Sequence, residues 1–233
     1  MMKEKNYIVA TIRPWNIKVY EETICRYPGK WLLVTNPQDL KPKLIDRINP
    51  RYIFFPHWNQ IVDPETLKMT ECICFHETDL PYGRGGSPVQ NLIAKGHKET
   101  MISALKMTSG LDAGPIYLKR RLSLEGLAEE IFIRASKIIS EMILEIITKD
   151  LLPKEQEGEP ILFHRRTPDQ SEISLEAETL QELFDHLRML DASEYPKAFI
   201  NYGKFVFELS RPALRNSRIE ADVTITRRNI VGG

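Results

Sequence analysis

The chain has 233 residues, 42% of them hydrophobic, enough for one full domain with a proper core and a small second one. Its 32 Lys and Arg balance 32 Asp and Glu, which removes the bulk positive field of a nucleic-acid binder, although a local basic patch stays open. Three cysteines without a CxxC pair (Cys25, Cys72, Cys74) point away from a disulfide framework and a cysteine zinc site, and no run approaches the roughly 18 apolar residues of a membrane span. The apolar run near the N-terminus is too short for a signal peptide, so a soluble, cytoplasmic protein without a membrane partner is expected.

Short apolar runs alternate with helical patterns through the first half. Tyr7–Ile12 predicts a strand, Asn16–Cys25 a helix, Trp31–Val34 a strand and Pro37–Ile48 a helix. Arg51–Phe55 predicts a third strand, Pro64–Met69 a short helix and Cys72–Phe75 a fourth strand. A Gly/Pro-rich loop follows over His76–Ser87, then a helix over Pro88–Lys95, strands over Thr100–Lys106 and Pro115–Leu122, and a long helix over Leu127–Thr148. In that helix Ile131, Ala135, Ile138, Met142 and Ile146 step by three and four, the stripe of a core-facing helix. Continuous apolar strands that alternate with helices predict a Rossmann-like α/β fold, an open, mostly parallel sheet with helices on both faces. The polar run PKEQEGEP reads as a linker. The expected organisation is a catalytic domain over 1–152, a linker over 153–161 and a small C-terminal α+β domain over 162–233.

Residues 74–119 concentrate the chemistry. His76 lies just past a predicted strand, and sites in open α/β sheets form outside the carboxyl ends of strands. Asp112 sits in Gly110-Leu111-Asp112-Ala113-Gly114, where flanking glycines suit a tight turn that presents a carboxylate. An imidazole and a carboxylate from two loops are the parts of a proton-transfer site. Each also has a plainer reading, the histidine as a loop or capping residue and the aspartate as a turn former.

The segment resembles the 10-formyltetrahydrofolate-dependent formyltransferases, whose pattern runs Asn-x-His, Ser, Leu-Pro-x-x-Arg-Gly, Thr, Gly-x-Asp-x-Gly. His76 fits the histidine, Thr78 stands at the serine, Leu80-Pro81-Tyr82-Gly83-Arg84-Gly85 fits the loop, Thr100 the threonine and Gly110–Gly114 the aspartate turn. The likeness covers about residues 5–150. One departure is Cys74, which replaces the asparagine that holds the formyl oxygen in the family. A thiol is a weak donor, and loss of one oxyanion donor costs about 100–1000-fold in rate. His57 and Asn59, or a backbone amide, are the candidates to replace it. Details of the loop, with FFPHWN upstream, are similar to the bacterial nucleotide-sugar N-formyltransferases, in particular those of pseudaminic acid synthesis that act on a UDP-linked 4-amino-4,6-dideoxy-N-acetyl-altrosamine.

The resemblance implies acyl transfer from 10-formyltetrahydrofolate to an amine, without a covalent enzyme intermediate and without a metal. Asp112 takes the amine's proton, directly or through water, and holds the His76 ring, and His76 hydrogen-bonds the formyl oxygen. Phe55, Pro56 and His57 with Met107, Gly110 and Leu111 would wall the pterin, although Phe55 also suits plain core packing. Arg84, Gly85 and Gly86 open a helix whose amides attract anions, or Arg84 braces the loop. Arg13, Trp15 and Asn16 would hold phosphate and a sugar or base, or Trp15 packs inward at a helix start. The expected partners are folate and a nucleotide-linked amino sugar, with no nucleic acid, and the long helix and small terminal domain leave room for a homodimer. The alternatives are methionyl-tRNA formylation, formyltetrahydrofolate hydrolysis, and a non-catalytic folate or nucleotide-sugar binder.

Overall fold

A computed structural model describes residues 4–149 and 151–228; the outer ends of the two expected domains, 1–3 and 229–233, lie outside the described residues. The first half runs β1 (Asn6–Ala10), α1 (Pro14–Glu22), β2 (Lys30–Val34), α2 (Pro42–Ile48), β3 (Tyr52–Pro56), α3 (Pro64–Met69) and β4 (Glu71–His76). Then come β5 (Tyr82–Gly85), α4 (Pro88–Ala94), β6 (Glu99–Lys106), β7 (Ile116–Ser123), α5 (Ala128–Thr148) and β8 (Ile161–Phe163), followed by α6 (Leu180–Arg188), β9 (Ala198–Tyr202), β10 (Phe205–Leu214) and β11 (Ile219–Arg227).

Proline sets the start of α1, α2, α3 and α4, because the first helical position needs no N–H. This corrects the helix expected from Pro37. Pro37–Asp39 forms one 3-10 turn capped by the Asn36 side chain, and the α-helix begins only at Pro42. α1 likewise ends at Glu22 and a 3-10 turn, Ile24–Arg26, follows it.

Six strands form one sheet in the order β2-β1-β3-β4-β6-β7. β1 runs parallel to β2 and β3, and β3 to β4, whereas β6 is antiparallel to β4. The fold is the expected mostly parallel α/β sheet with helices. Ile8, Val9, Ala10, Ile53, Phe54 and Phe55 are fully buried, as strands covered on both faces must be. One layer is aromatic, with Tyr7 stacked on Trp31 at 4.6 Å and Phe54 6.4 Å from Phe75. Another gathers Ile8, Ala10, Val34, Ile45, Ile53, Phe55 and Cys72, with Trp58, Cys74 and Met107 against them. In α5, Ile131, Ala135, Met142 and Ile146 are buried as expected, whereas Ile138 is half-buried and Ile139 takes the inner place.

The described chain forms two compact units, one of 4–85, 100–122 and 132–162, the other of 86–99, 123–131 and 163–228. In the first, the N–H of Ile161 donates to the Pro81 carbonyl and starts a two-stranded ribbon of β5 and β8. Lys154, in the stretch read as a linker, exchanges both backbone bonds with Ile116 at 2.9 and 2.7 Å. In the second, β11, β10 and β9 make an antiparallel sheet that α6 packs against. α4 joins this unit, and Gln90 Nε2 donates to the Met189 carbonyl at 3.3 Å. Buried Arg188 pairs with Asp185 at 2.5 Å and donates to the carbonyls of Leu124 and Gly126. Among the described residues no helix is long and apolar enough to cross a membrane.

Candidate active site

His76 is the last residue of β4, so the sheet itself delivers the imidazole at a carboxyl end. Its Nε2 lies 2.7 Å from the Gly83 carbonyl. A carbonyl only accepts, so Nε2 carries the hydrogen. Nδ1 faces Asp112 Oδ2 at 3.7 Å, with both side chains mostly buried. The segment after β4 is fixed by Ser103 Oγ donating to the Thr78 carbonyl at 2.8 Å and by Thr100 Oγ1 donating to the Glu77 carbonyl at 3.4 Å. Thr78 is itself buried and its hydroxyl reaches the Gly83 carbonyl at 3.4 Å.

Asp112 holds a left-handed backbone, φ 48°, which Asp tolerates better than most residues. Gly114 is obligatory for that turn, because a Cβ there would fall 1.8 Å from the Lys106 carbonyl oxygen. Gly110 caps the other side, with its N–H on Thr108 Oγ1 at 3.3 Å. The Gly85 N–H donates to Asp112 Oδ2 at 2.9 Å. Gln156 completes the frame. Its Nε2 donates to the carbonyls of Asp112 and Gly114, both at 2.8 Å, and its Oε1 accepts from Arg84 Nε and a second guanidinium nitrogen at 3.1 and 2.8 Å. Arg84 therefore braces the loop.

Two amides of the Gly-rich turn are engaged within the protein. The Gly85 N–H is on Asp112 and the Gly86 N–H is on the Phe163 carbonyl at 3.1 Å, so an anion at this turn would have to share or displace those bonds. Trp15 is packed inward, stacked on Phe132 at 5.1 Å, with the Arg13 guanidinium 5.9 Å from its ring. Asn16 is buried and donates to the Pro56 carbonyl at 3.4 Å, as does Thr11 Oγ1 at 2.9 Å. These contacts make Trp15, Asn16 and Pro56 parts of the frame. Leu111 is 69% exposed at the tip of the aspartate turn. Phe55 and Met107 lie with Cys74 and Trp58 in one apolar cluster, and Trp58 Nε1 is buried there without a hydrogen-bond partner among the described residues. An orphaned donor beside an apolar wall fits a planar heterocycle with acceptor edges.

Three further groups shape the electrostatics. Burial, helped by the charge of Asp112, pushes the Cys74 thiol well above its usual range, so it is a neutral thiol. His57 has a left-handed backbone, φ 50°, and its buried ring sits edge-on to Trp15 and Phe132. Burial first and the Arg13 charge second lower its pKa to about 3. Glu77 lies 3.9 Å from His57 Nδ1, and burial chiefly raises its pKa, with His76 and a backbone N–H bond opposing and Asp112 adding a little. Asn59 is exposed, and its side chain accepts from Gln60. Glu77, Trp58 and Gln156 were missed as site residues. Glu77 carried a signal in its place next to His76, whereas nothing local marks Gln156. Among the described residues no three His, Cys, Asp or Glu side chains gather as a metal site.

A solved structure named as methionyl-tRNA formyltransferase from Clostridium thermocellum matches with a TM-score of 0.91 and 48% identity, over 96% of this chain and 100% of that one. The chain belongs to the formyltransferase family. The family model described as the methionyl-tRNA formyltransferase C-terminal domain matches residues 168–226, within the second compact unit. The methionyl-tRNA formyltransferase of Mesoplasma florum is 26% identical over 185 residues, 76% of this chain and 58% of that protein. This formyltransferase-family chain thus spans little more than half the length of that curated relative. A sugar N-formyltransferase from Shewanella shares the fold, with a TM-score of 0.62 at 14% identity over 85% of this chain and 93% of that one.

Proposed function

We propose that this chain transfers a formyl group from 10-formyltetrahydrofolate to a primary amine, and that the amine is the amino group of methionyl-tRNA. The observation that carries the reading is the 48% identity, over nearly the whole chain, to a protein of that name. Curated relatives of the same name and the match over 168–226 support it. The sugar N-formyltransferase from Shewanella, at 14% identity, shares the fold and does not bear on the amino-sugar acceptor expected from the loop details. The expectation of no nucleic-acid partner rested on zero net charge, and local phosphate contacts need no net charge.

The site suits the chemistry residue by residue. The Nε2–H of His76 already donates to a carbonyl oxygen, that of Gly83. When the formyl oxygen takes that place, the same N–H meets the negative charge that grows as the amine attacks. Asp112 faces the ring from the other side, its Oδ2 3.7 Å from Nδ1. Met107, exposed Leu111 and the Trp58 N–H offer the donor's pterin an apolar face with one directed hydrogen bond, and Phe55 packs in the core behind them. Burial keeps Cys74 from acting as a nucleophile, in keeping with direct transfer.

The balance of charge, 32 against 32, favours a second reading, transfer to a nucleotide-linked amino sugar, because it provides no broad basic field for RNA. Purified protein with 10-formyltetrahydrofolate labelled in the formyl carbon, offered methionyl-tRNA and nucleotide-linked 4-amino sugars separately, decides between them. Label in formylmethionyl-tRNA is expected. Label only in a sugar overturns the acceptor, and label in neither overturns formyl transfer.

A further inference from the structure

Beside the His76–Asp112 pair stands a second imidazole–carboxyl pair of the same kind. His57 Nδ1 and Glu77 Oε1 are 3.9 Å apart, against 3.7 Å for His76 and Asp112. The parallel register that sets Pro56 beside Phe75 brings His57 and Glu77 out at one carboxyl edge of the sheet. The Glu77 side chain is 7% exposed, and its Oε1 is buried with no hydrogen-bond partner among the described residues. A buried polar atom left unpaired costs about 1–3 kcal/mol or more, so it marks a place for an incoming donor. Asp112 differs, since its Oδ2 already accepts the Gly85 N–H.

We propose that Glu77, and not Asp112, takes the proton that the acceptor's ammonium group sheds before it attacks the formyl carbon. The inference rests on the reading of this chain as an N-formyltransferase. One N–H bond of the ammonium breaks and an O–H bond forms on Glu77. The freed electron pair on nitrogen makes the new bond to the formyl carbon. As the bond from that carbon to the folate nitrogen breaks, the attacking nitrogen's second proton passes to the folate nitrogen. Glu77 then releases its proton to water, and His57 stays neutral throughout.

The surroundings of Glu77 support this division. Burial chiefly, with a lesser push from the Asp112 charge, raises its proton affinity, against the opposing effects of His76 and of a backbone N–H bond to the carboxyl. Cys74 is a neutral thiol and His57 a neutral imidazole held so by burial and Arg13. Asp112 stays with the His76 ring and the Gly85 N–H, while Glu77 Oε1 is the carboxyl oxygen open to an incoming N–H.

The test compares wild type and Glu77→Gln from pH 6 to 9 with whichever acceptor the wild type formylates. Gln keeps the shape and loses the basicity. The expected result is a kcat about 100-fold lower at pH 7, a KM for the folate within twofold, and a loss that shrinks as pH rises and the amine arrives neutral. A kcat like wild type, or a loss equal at every pH, overturns the proposal. Near-UV circular dichroism checks that the variant folds. If it does not, Glu77→Asp is used, with a displaced acid limb expected, and an unchanged kcat and acid limb overturn the proposal. A wild type that formylates no acceptor sinks the parent reading and this one together, whereas an active wild type with a normal Glu77→Gln sinks this one alone.

Discussion

The carboxylate of Asp112 accepts the backbone N–H of Gly85 at 2.9 Å. That single bond joins the two halves of the sequence signature, the Arg-Gly loop and the aspartate turn, and leaves the carboxylate 3.7 Å from the His76 ring. Asp112→Asn tests its charge with little change of shape, because Asn also tolerates the left-handed φ of 48° and its amide oxygen still accepts the Gly85 N–H. The variant should fold normally and lose about 100–10,000-fold in kcat, and His76→Ala should lose a similar amount. Formyl transfer measured within tenfold of wild type for either would detach that residue from the chemistry.

Gln156 makes the next prediction. It satisfies the Asp112 and Gly114 carbonyls and binds Arg84, all within the first compact unit. Gln156→Ala leaves these half-buried groups unpaired, at a cost of about 1–3 kcal/mol. A Tm lowered by roughly 2–10 °C is expected for a chain of this size. The aspartate turn should also drift, and misplacement near 1 Å costs up to about 100-fold in rate. Thermal melts and kcat measured together check this, and a variant unchanged in both would make the brace idle.

What the sequence made legible follows from burial. Ile8, Ile53 and Phe55 lie in strands covered on both sides, so their runs are continuous and easy to read. The His76–Asp112 meeting was legible through a resemblance across 36 residues of separation, which local pattern alone does not carry. The start of α2 was misjudged because Pro37 and Pro42 both suit a first helical position, and only the second begins an α-helix. β5 was lost in its Gly-rich composition, YGRG, since its partner is a strand some 75 residues later. Gln156 was hidden in a polar run that reads as a linker, and long-range side-chain bonds leave no periodic trace. The inward packing of Trp15 on Phe132 was one of two open readings, and a partner more than a hundred residues away decides it.

Gly114→Ala should be far costlier than Gly110→Ala, although both glycines flank the same aspartate. A Cβ at 114 meets the Lys106 carbonyl oxygen at 1.8 Å, a backbone atom held in β6 that cannot turn aside. At 110 it meets side chains alone, the Ala113 methyl at 3.0 Å and Thr108 Oγ1 at 3.8 Å. Overpacking typically costs about 1–3 kcal/mol and more where backbone must shift. Urea unfolding should place the 114 variant at or above that range and the 110 variant below it. Equal losses would mean that the turn yields freely at both ends.

The buried His57 predicts how stability responds to acid. Its pKa falls from 6.5 to about 3 on folding, through burial and the nearby Arg13 charge. Between those values the unfolded chain binds more protons than the native one, so unfolding free energy rises with pH across this window and falls as the solution is acidified. At pH 5 the imidazole's contribution to the loss is about 2 kcal/mol relative to pH 7. Glu77 works the other way, since its raised pKa gives stability at low pH that is lost as pH rises through its folded value. His57→Asn isolates the imidazole, because Asn accepts the left-handed backbone at φ 50° and does not titrate. Urea midpoints at pH 7 and pH 5 should show the variant losing about 2 kcal/mol less than wild type over the interval, whatever the loss of ring packing does at pH 7. If both proteins lose the same amount, His57 is not buried as a neutral ring and the electrostatic account of the second pair fails with it.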